Sequence, residues 1–439
     1  MQLGEESKVK WLPIPFFFAY GLVMVFLSEV VAQALPDMLN DTLSLSEMEG
    51  KLNIAERSSF TTEEAALVIG GAAKLIVKII LPCQTTQIPY LFRIILLFAF
   101  YAAGLGIVLV SHSPLARLVG VVAFESASAM AEVTFLSLTA FYGEYAVKSF
   151  VAGGGLSMVA GPLYYAGVLE WTCVSPRLAV AFIAPLLPCF FLLYVFMSRS
   201  LSAGKSQNIT FPSVRYASIR NPSKEQDIQE LNFSKKFTLV WSLFMMMTYM
   251  FLLYFADELS MKAFVKPLAY PHKDIYPMGR LTYYTFANAI GKFLGRVYLL
   301  LVSITCSFLV PYLQIKSTWI LATVGSILSF LLVFGSWFRF KTEVEFVVAY
   351  SVVMGFLTGN IYANSALLVH QETTAVSRRE LALGILTLGS SAGLYAARLM
   401  ELYLRPHLTK HCLFELQLGG NCFPVNSYFV DWQNNIPCY

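Results

Sequence analysis

Residues 124–142 read FESASAMAEVTFLSLTAFY, and two carboxylates, Glu125 and Glu132, stand inside an apolar run that begins near Leu115. Their seven-residue spacing is almost two helical turns, so on a helix both acids point the same way. In a bilayer neither acid can face lipid cheaply, and both turn toward a bundle interior or a water-filled path. Intramembrane acids of this kind are functional candidates by default, with packing or helix orientation as the plainer alternative.

Composition carries the same reading to the whole chain. Of 439 residues, 57% are hydrophobic and 13% charged, against about 25% charged in an ordinary soluble domain. Apolar runs near the length of a spanning helix recur from end to end. The expected fold class is therefore all-α: a polytopic transmembrane protein. The formal charge of +4 is small and spread out, so no nucleic-acid partner is implied. The five histidines, His112, His272, His370, His407 and His411, fall at loops or helix ends. No zinc spacing, HExxH or P-loop appears, and we expect no metal, no cofactor and no enzyme.

About 11 spans can be placed. The first, 11–35, is too long for a cleaved signal, carries Glu29 and is expected to end at Pro36. A polar loop, 37–64, contains the glycosylation triplet Asn40-Asp41-Thr42. The second span, 64–82, puts Lys74 and Lys78 on one face. The third and fourth cover 91–110 and 115–141, and the fifth, 148–169, holds Gly153, Gly154, Gly155, Gly161 and Gly167, which allow close helix approach. The sixth covers 178–197. A basic connection, 198–236, divides the chain, as expected of a two-bundle transporter. The seventh span, 237–261, ends in Asp257 and Glu258. The eighth begins near Gly279, carries Asn288, Lys292 and Arg296 at four-residue steps, and runs into 297–313; a long tilted helix, a bent helix, or a helix plus an interfacial segment all fit. The last three cover 317–337, 344–369 and 380–403, leaving a polar tail, 404–439. The implied domains are a six-helix bundle (1–197), a linker (198–236), a five-helix bundle (237–403) and the tail.

The Lys- and Arg-rich linker sets the expected orientation, with linker and N-terminus cytosolic and the tail lumenal. Asn40 then becomes a lumenal glycosylation site, whereas Asn208 and Asn232 stay unmodified in the cytosol. Of seven cysteines, Cys83, Cys173, Cys189 and Cys306 read as small hydrophobes. Cys412, Cys422 and Cys438 cluster in the tail, where a disulfide is chemically permitted, Cys412 with Cys422 being one pairing.

Lys74 and Lys78 in one half, and Lys292 and Arg296 in the other, would form opposed cationic patches suited to a phosphate or phosphodiester. Near a helix end, such residues instead snorkel to the interface. Glu29, Glu125, Glu132 and Asp257 are candidate coupling or gating groups; Glu258 reads as a hydrated helix end, and Arg398 with Glu401 as an internal pair. Tyr283, Tyr284, Asn360, Tyr362 and Asn364 lie near inferred cavity positions, with Asn360 inclined to ligand and Asn364 to packing. Buried amides need one partner or the other.

Residues 132–142, EVTFLSLTAFY, resemble the central block of the battenin family, and supporting blocks at 74–82, 153–167, 253–257, 355–364 and 379–383 extend the resemblance over roughly residues 11–405. The resemblance implies a fold similar to the major facilitator superfamily, residence in late endosomal and lysosomal membranes, and a link to clearing glycerophosphodiesters. It also implies associations with lysosomal pH, basic amino acids and trafficking. Lys78, Gly154, Gly161, Gly167, Tyr254 to Asp257, Tyr362, Asn364, Arg379 and Glu380 match the family blocks. The first span resembles the family poorly, so Glu29 gains no support. The chain ends in Cys438-Tyr439 where vertebrate relatives tend to carry a prenylation signal, and the linker lacks an adjacent acidic dileucine. The leading expectation is a lysosomal transporter exporting glycerophosphodiesters by alternating access. The alternatives are a membrane scaffold recruiting trafficking partners through 198–236, or a transporter of basic amino acids.

Overall fold

The computed structural model describes residues 13–40, 62–84, 88–111, 113–203, 233–265, 283–338 and 344–415. These form an all-helical protein with eleven helices long and apolar enough to cross a membrane. In chain order they are α1 (Pro13–Asn40), α2 (Thr62–Gln84), α3 (Tyr90–Val110), α4 (Pro114–Leu138) and α5 (Glu144–Thr172). The sixth span is made of α6 (Pro176–Ala181) and α7 (Cys189–Ala203); α8 (Phe233–Leu259), α9 (Tyr283–Thr305), α10 (Thr318–Phe338), α11 (Val344–Glu372) and α12 (Val376–Phe414) complete the chain.

Several boundaries differ from expectation for identifiable reasons. Pro36 lies inside α1 rather than ending it. A proline forfeits one backbone bond, which neighbours in a membrane bundle can make good. Pro185 and Pro188, by contrast, fall close together and break the sixth span through a 3-10 turn, Ala184–Leu186. The eighth span is a helix plus a separate segment: α9 stops at Thr305, followed by the turns Ser307–Leu309 and Val310–Leu313. α12 runs to Phe414 through Pro406, so the start of the expected polar tail is helical. Cys173, read above as a small hydrophobe, caps α5 in the left-handed conformation (φ 50°) and is disulfide-bonded. Its partner, the Asn40 triplet, the Cys422 side of the expected tail pair and most of the linker lie outside the described residues.

Two sets of helices pack internally and then against each other. α1 lies along α5, and α4 is flanked by α2 and α3; in the second set α9 lies along α11, while α8 contacts α10 and α12. The sets meet where α5 packs on α9 and α11, and where α2 and α4 pack on α12. Outward faces of α3 and α10 expose Phe92, Ile95, Phe330 and Leu331, the surface a hydrocarbon solvent requires.

Glycines set the closest of these approaches. A Cβ at Gly153 would collide with the Phe18 carbonyl oxygen on α1, a backbone atom that cannot swing away. Gly153→Ala should therefore cost about 1–3 kcal/mol, toward the upper end for overpacking, read as a lowered melting temperature of the detergent-purified protein.

Candidate functional site: a charged cavity between the helix sets

A cavity of about 170 Å³ lies between the two sets. That is below the range of about 300–1,000 Å³ that accommodates drug-sized molecules, and it fits one small polar head group. Its wall includes Glu29 of α1, Lys74 of α2, Glu125 and Glu132 of α4, Arg296 of α9, and Tyr362 of α11. Arg398, Tyr395, Ser390 and Ser391 of α12 join them, with Tyr254 of α8 and Ser128 of α4.

Helical periodicity explains the grouping. Glu125 and Glu132, one face of α4, meet Lys74 and Lys78, one face of α2. Lys74 Nζ lies 3.3 Å from Glu125 Oε2 and 3.4 Å from Ser128 Oγ. Lys78 donates to Glu132 Oε2 at 2.5 Å, to Ser391 Oγ at 2.5 Å and to the Thr387 carbonyl at 3.3 Å. Glu132 Oε1 accepts from the Tyr362 hydroxyl at 2.9 Å. Glu132 thus ties α4 and α2 of the first set to α12 and α11 of the second.

On the other side, Lys292 pairs with Asp257 at 2.8 Å, and Asp257 also accepts from Asn288 Nδ2 at 2.8 Å. Removing one partner of a buried pair leaves an uncompensated charge, which costs about 3–5 kcal/mol. Lys292→Met should lower thermal stability by about that much in protein measured without substrate, and Asp257→Asn in the same chain should recover most of it.

Several expected site residues are thereby relocated. Lys78, Lys292, Asn288 and Asp257 do not line the cavity; they are committed to the pairs around it. Asn360 is a packing residue: its Oδ1 accepts from Tyr298 and from Asn364 Nδ2 on the same helix. Asn364 has the packing role expected of it, accepting from the Ile315 amide at 2.8 Å. Tyr284 is half-buried against the core and not in the cavity wall, and the Tyr283 side chain lies outside the described residues. Glu258 is no hydrated helix end: it pairs with Arg398 at 3.4 Å, so Arg398 reaches across to α8 rather than only along its own helix to Glu401.

Two charges stand apart. Arg296, 7% exposed, donates to the Tyr254 hydroxyl at 3.2 Å and lies 4.5 Å over the Tyr362 ring. Among the described residues it pairs with no carboxylate, and its Nε has no hydrogen-bond partner. Glu29, also in the wall, pairs with no cation among the described residues. A guanidinium held by one ring and one hydroxyl keeps donors available for an incoming anion.

Sequence reading missed Ser128, Ser391 and Tyr395 in this wall. Beside Arg398, the hydroxyl pair Ser390-Ser391 within an apolar helix was a signal for α12.

Hydrogen bonds that cross between the two sets gather at the linker end. Glu380 at the start of α12 pairs with Arg93 of α3 at 3.5 Å and accepts from the Tyr90 hydroxyl at 2.7 Å. Gln371 donates to Glu144 at 3.0 Å, Lys236 to the Cys83 carbonyl at 2.9 Å, and Arg379 to the Ala140 carbonyl at 3.4 Å.

Comparison with solved structures agrees with the fold. The human organic anion transporter MFSD10 is similar over 98% of each chain, with a TM-score of 0.56 and 13% identity. A bacterial homologue of the iron transporter ferroportin, in its outward-facing state with soaked iron, is similar over 96% of this chain and 99% of its own, with a TM-score of 0.52 and 14% identity. At such identities the likeness is one of fold, that of the major facilitator type. Among curated relatives, battenin of Canis lupus familiaris is 26% identical over 78% of this chain and 77% of its own. Protein btn1 of Schizosaccharomyces pombe is 27% identical, covering 70% of this chain and 75% of its own, and protein BTN1 of Yarrowia lipolytica is 27% identical, covering 90% and 94%. With the CLN3 protein family model matching residues 15–411 as well, this multi-pass membrane protein belongs to the CLN3, or battenin, family.

Proposed function

We propose that this protein is a lysosomal or late endosomal membrane transporter that carries glycerophosphodiesters by alternating access. The single observation that carries the proposal is Arg296: a buried guanidinium, facing a cavity between two helix sets, with no carboxylate to neutralise it among the described residues. An uncompensated charge in a membrane interior is expensive, and a site that binds anions is the natural reason to keep one. The small cavity favours a phosphodiester stripped of its acyl chains over an intact lipid.

Orientation follows from two features. The basic linker favours the cytosol, and the disulfide at Cys173, at the opposite end of the bundle, favours an oxidising lumen. In that orientation the cross-set bonds at the linker end close the cavity to the cytosol.

The conformational step runs through neighbouring groups. A phosphate reaching Arg296 competes with the Tyr254 hydroxyl and draws on the guanidinium stacked over Tyr362. The Tyr362 hydroxyl holds Glu132, and Glu132 with Lys78 holds α12. Substrate contact is thus relayed to the bonds that join the two sets, where a difference of affinity between states can shift the equilibrium.

The test is transport into vesicles containing only the purified protein, comparing labelled glycerophosphodiester with labelled arginine, with and without a pH gradient. Saturable diester flux supports the proposal. Arginine flux would favour basic amino-acid transport, and no flux of either solute in folded protein would favour the scaffold.

A further inference from the structure

The charges around the cavity nearly cancel in pairs: Lys74 with Glu125, Lys78 with Glu132, Lys292 with Asp257 and Arg398 with Glu258. What remains in the wall, among the described residues, is one cation, Arg296, and one anion, Glu29, not bonded to each other. An incoming anion alone would satisfy Arg296 and leave Glu29 charged and unmatched. An incoming zwitterion satisfies both.

Spacing supports the same conclusion. A Cβ at Gly154 would lie 3.3 Å from Arg296 Nη1, and one at Gly161 would lie 2.6 Å from Glu29 Cβ. These two glycines are two turns apart on one face of α5, about 10 Å at 1.5 Å per residue. A phosphate and an ammonium separated by a two-carbon arm, with a contact of about 3 Å at either end, bridge a gap of that order. Met158, one turn from each glycine on that face, lines the wall between the two poles. Tyr395, also in the wall, offers aromatic surface to an alkylated ammonium.

From these observations we infer that Glu29 is a second recognition pole, and that the preferred substrate is a zwitterionic phosphodiester with its phosphate at Arg296 and a cationic head at Glu29. The inference rests on the transporter reading above and names the charge type of its substrate. Lys74 and Arg398, the other cations in the wall, are held by Glu125 and Glu258, so neither supplies Glu29 with a partner.

The experiment measures binding and vesicle uptake of glycerophosphocholine, a zwitterion, against glycerophosphoglycerol, an anion, in the full-length protein and in Glu29→Gln. The wild type should prefer the choline diester by about tenfold or more, the size of one charge-assisted contact. Glu29→Gln should weaken the choline diester, tighten the glycerol diester and so reverse the order. A wild-type preference for the glycerol diester overturns the inference without needing the variant. Equal weakening of both diesters in Glu29→Gln also overturns it, since that is the mark of a merely structural carboxylate. Uptake of the glycerol diester driven by a pH gradient, and lost in Glu29→Gln, overturns it in favour of a proton as the second charge. In each of these outcomes diester transport itself stands, whereas failure of the wild type to bind or move either diester removes the transporter reading and this inference with it.

Discussion

Arg296→Gln should abolish saturable diester uptake while leaving a folded, monodisperse protein. Two charge-assisted hydrogen bonds to a phosphate are worth about 3–6 kcal/mol together, or about two to four decades in affinity. The fold should tolerate the change because no carboxylate among the described residues depends on Arg296; its partners there are the Tyr254 hydroxyl and the Tyr362 ring. This separates it from Lys292, whose loss strands Asp257. Arg296→Lys keeps the charge but loses the planar fork and much of the stacking on Tyr362, and should fall between the two. The measurement is uptake in vesicles beside binding and thermal unfolding in detergent. Uptake near the wild-type level in Arg296→Gln would remove the guanidinium from the site.

Much of this arrangement was legible in the sequence because membrane burial makes charge conspicuous. Glu125 and Glu132 at a two-turn spacing, facing Lys74 and Lys78 at a one-turn spacing, could be read as two helix faces before any contact was known. What periodicity could not give was partnership. Lys292 and Arg296 sit one turn apart on α9 and read as one patch, yet Lys292 is held by Asp257 whereas Arg296 pairs with no carboxylate among the described residues. Which cation is spare depends on where α8 places its acids, a tertiary fact. Asn360 misled for the same reason: a buried amide must have partners, but Tyr298 and Asn364 supply them. Boundaries failed where proline was weighed alone, since Pro36 is absorbed in α1 while Pro185 and Pro188 act together to break the sixth span.

The linker-end contact between Arg93 and Glu380 should behave as a gate. Both side chains are almost wholly buried, 1% and 0% exposed, yet they join α3 of one set to α12 of the other. In the proposed alternating-access cycle this end must part, and parting would expose both groups to water, which lowers the cost of separating them. Glu380→Gln removes the carboxylate from Arg93 in the closed form but costs little once the end is open. The closed form should therefore lose about 3–5 kcal/mol relative to the open one, a shift of about two to three decades in their ratio. Spectroscopic labels at Cys83 and position 236, where α2 and α8 touch in the closed form, should report a longer distance in Glu380→Gln. Transport should fall while diester binding persists, because the cavity residues are untouched. Exchanging the charges, Arg93→Glu with Glu380→Arg, should restore part of the closed population, since the attraction survives with its sign reversed although the Tyr90 hydroxyl bond must be remade. An unchanged label distance together with a lower melting temperature would make Glu380 a structural anchor and place the gate elsewhere. The neighbouring Gln371–Glu144 contact, neutral on one side, would be the next position to break, and its smaller electrostatic stake predicts a smaller shift.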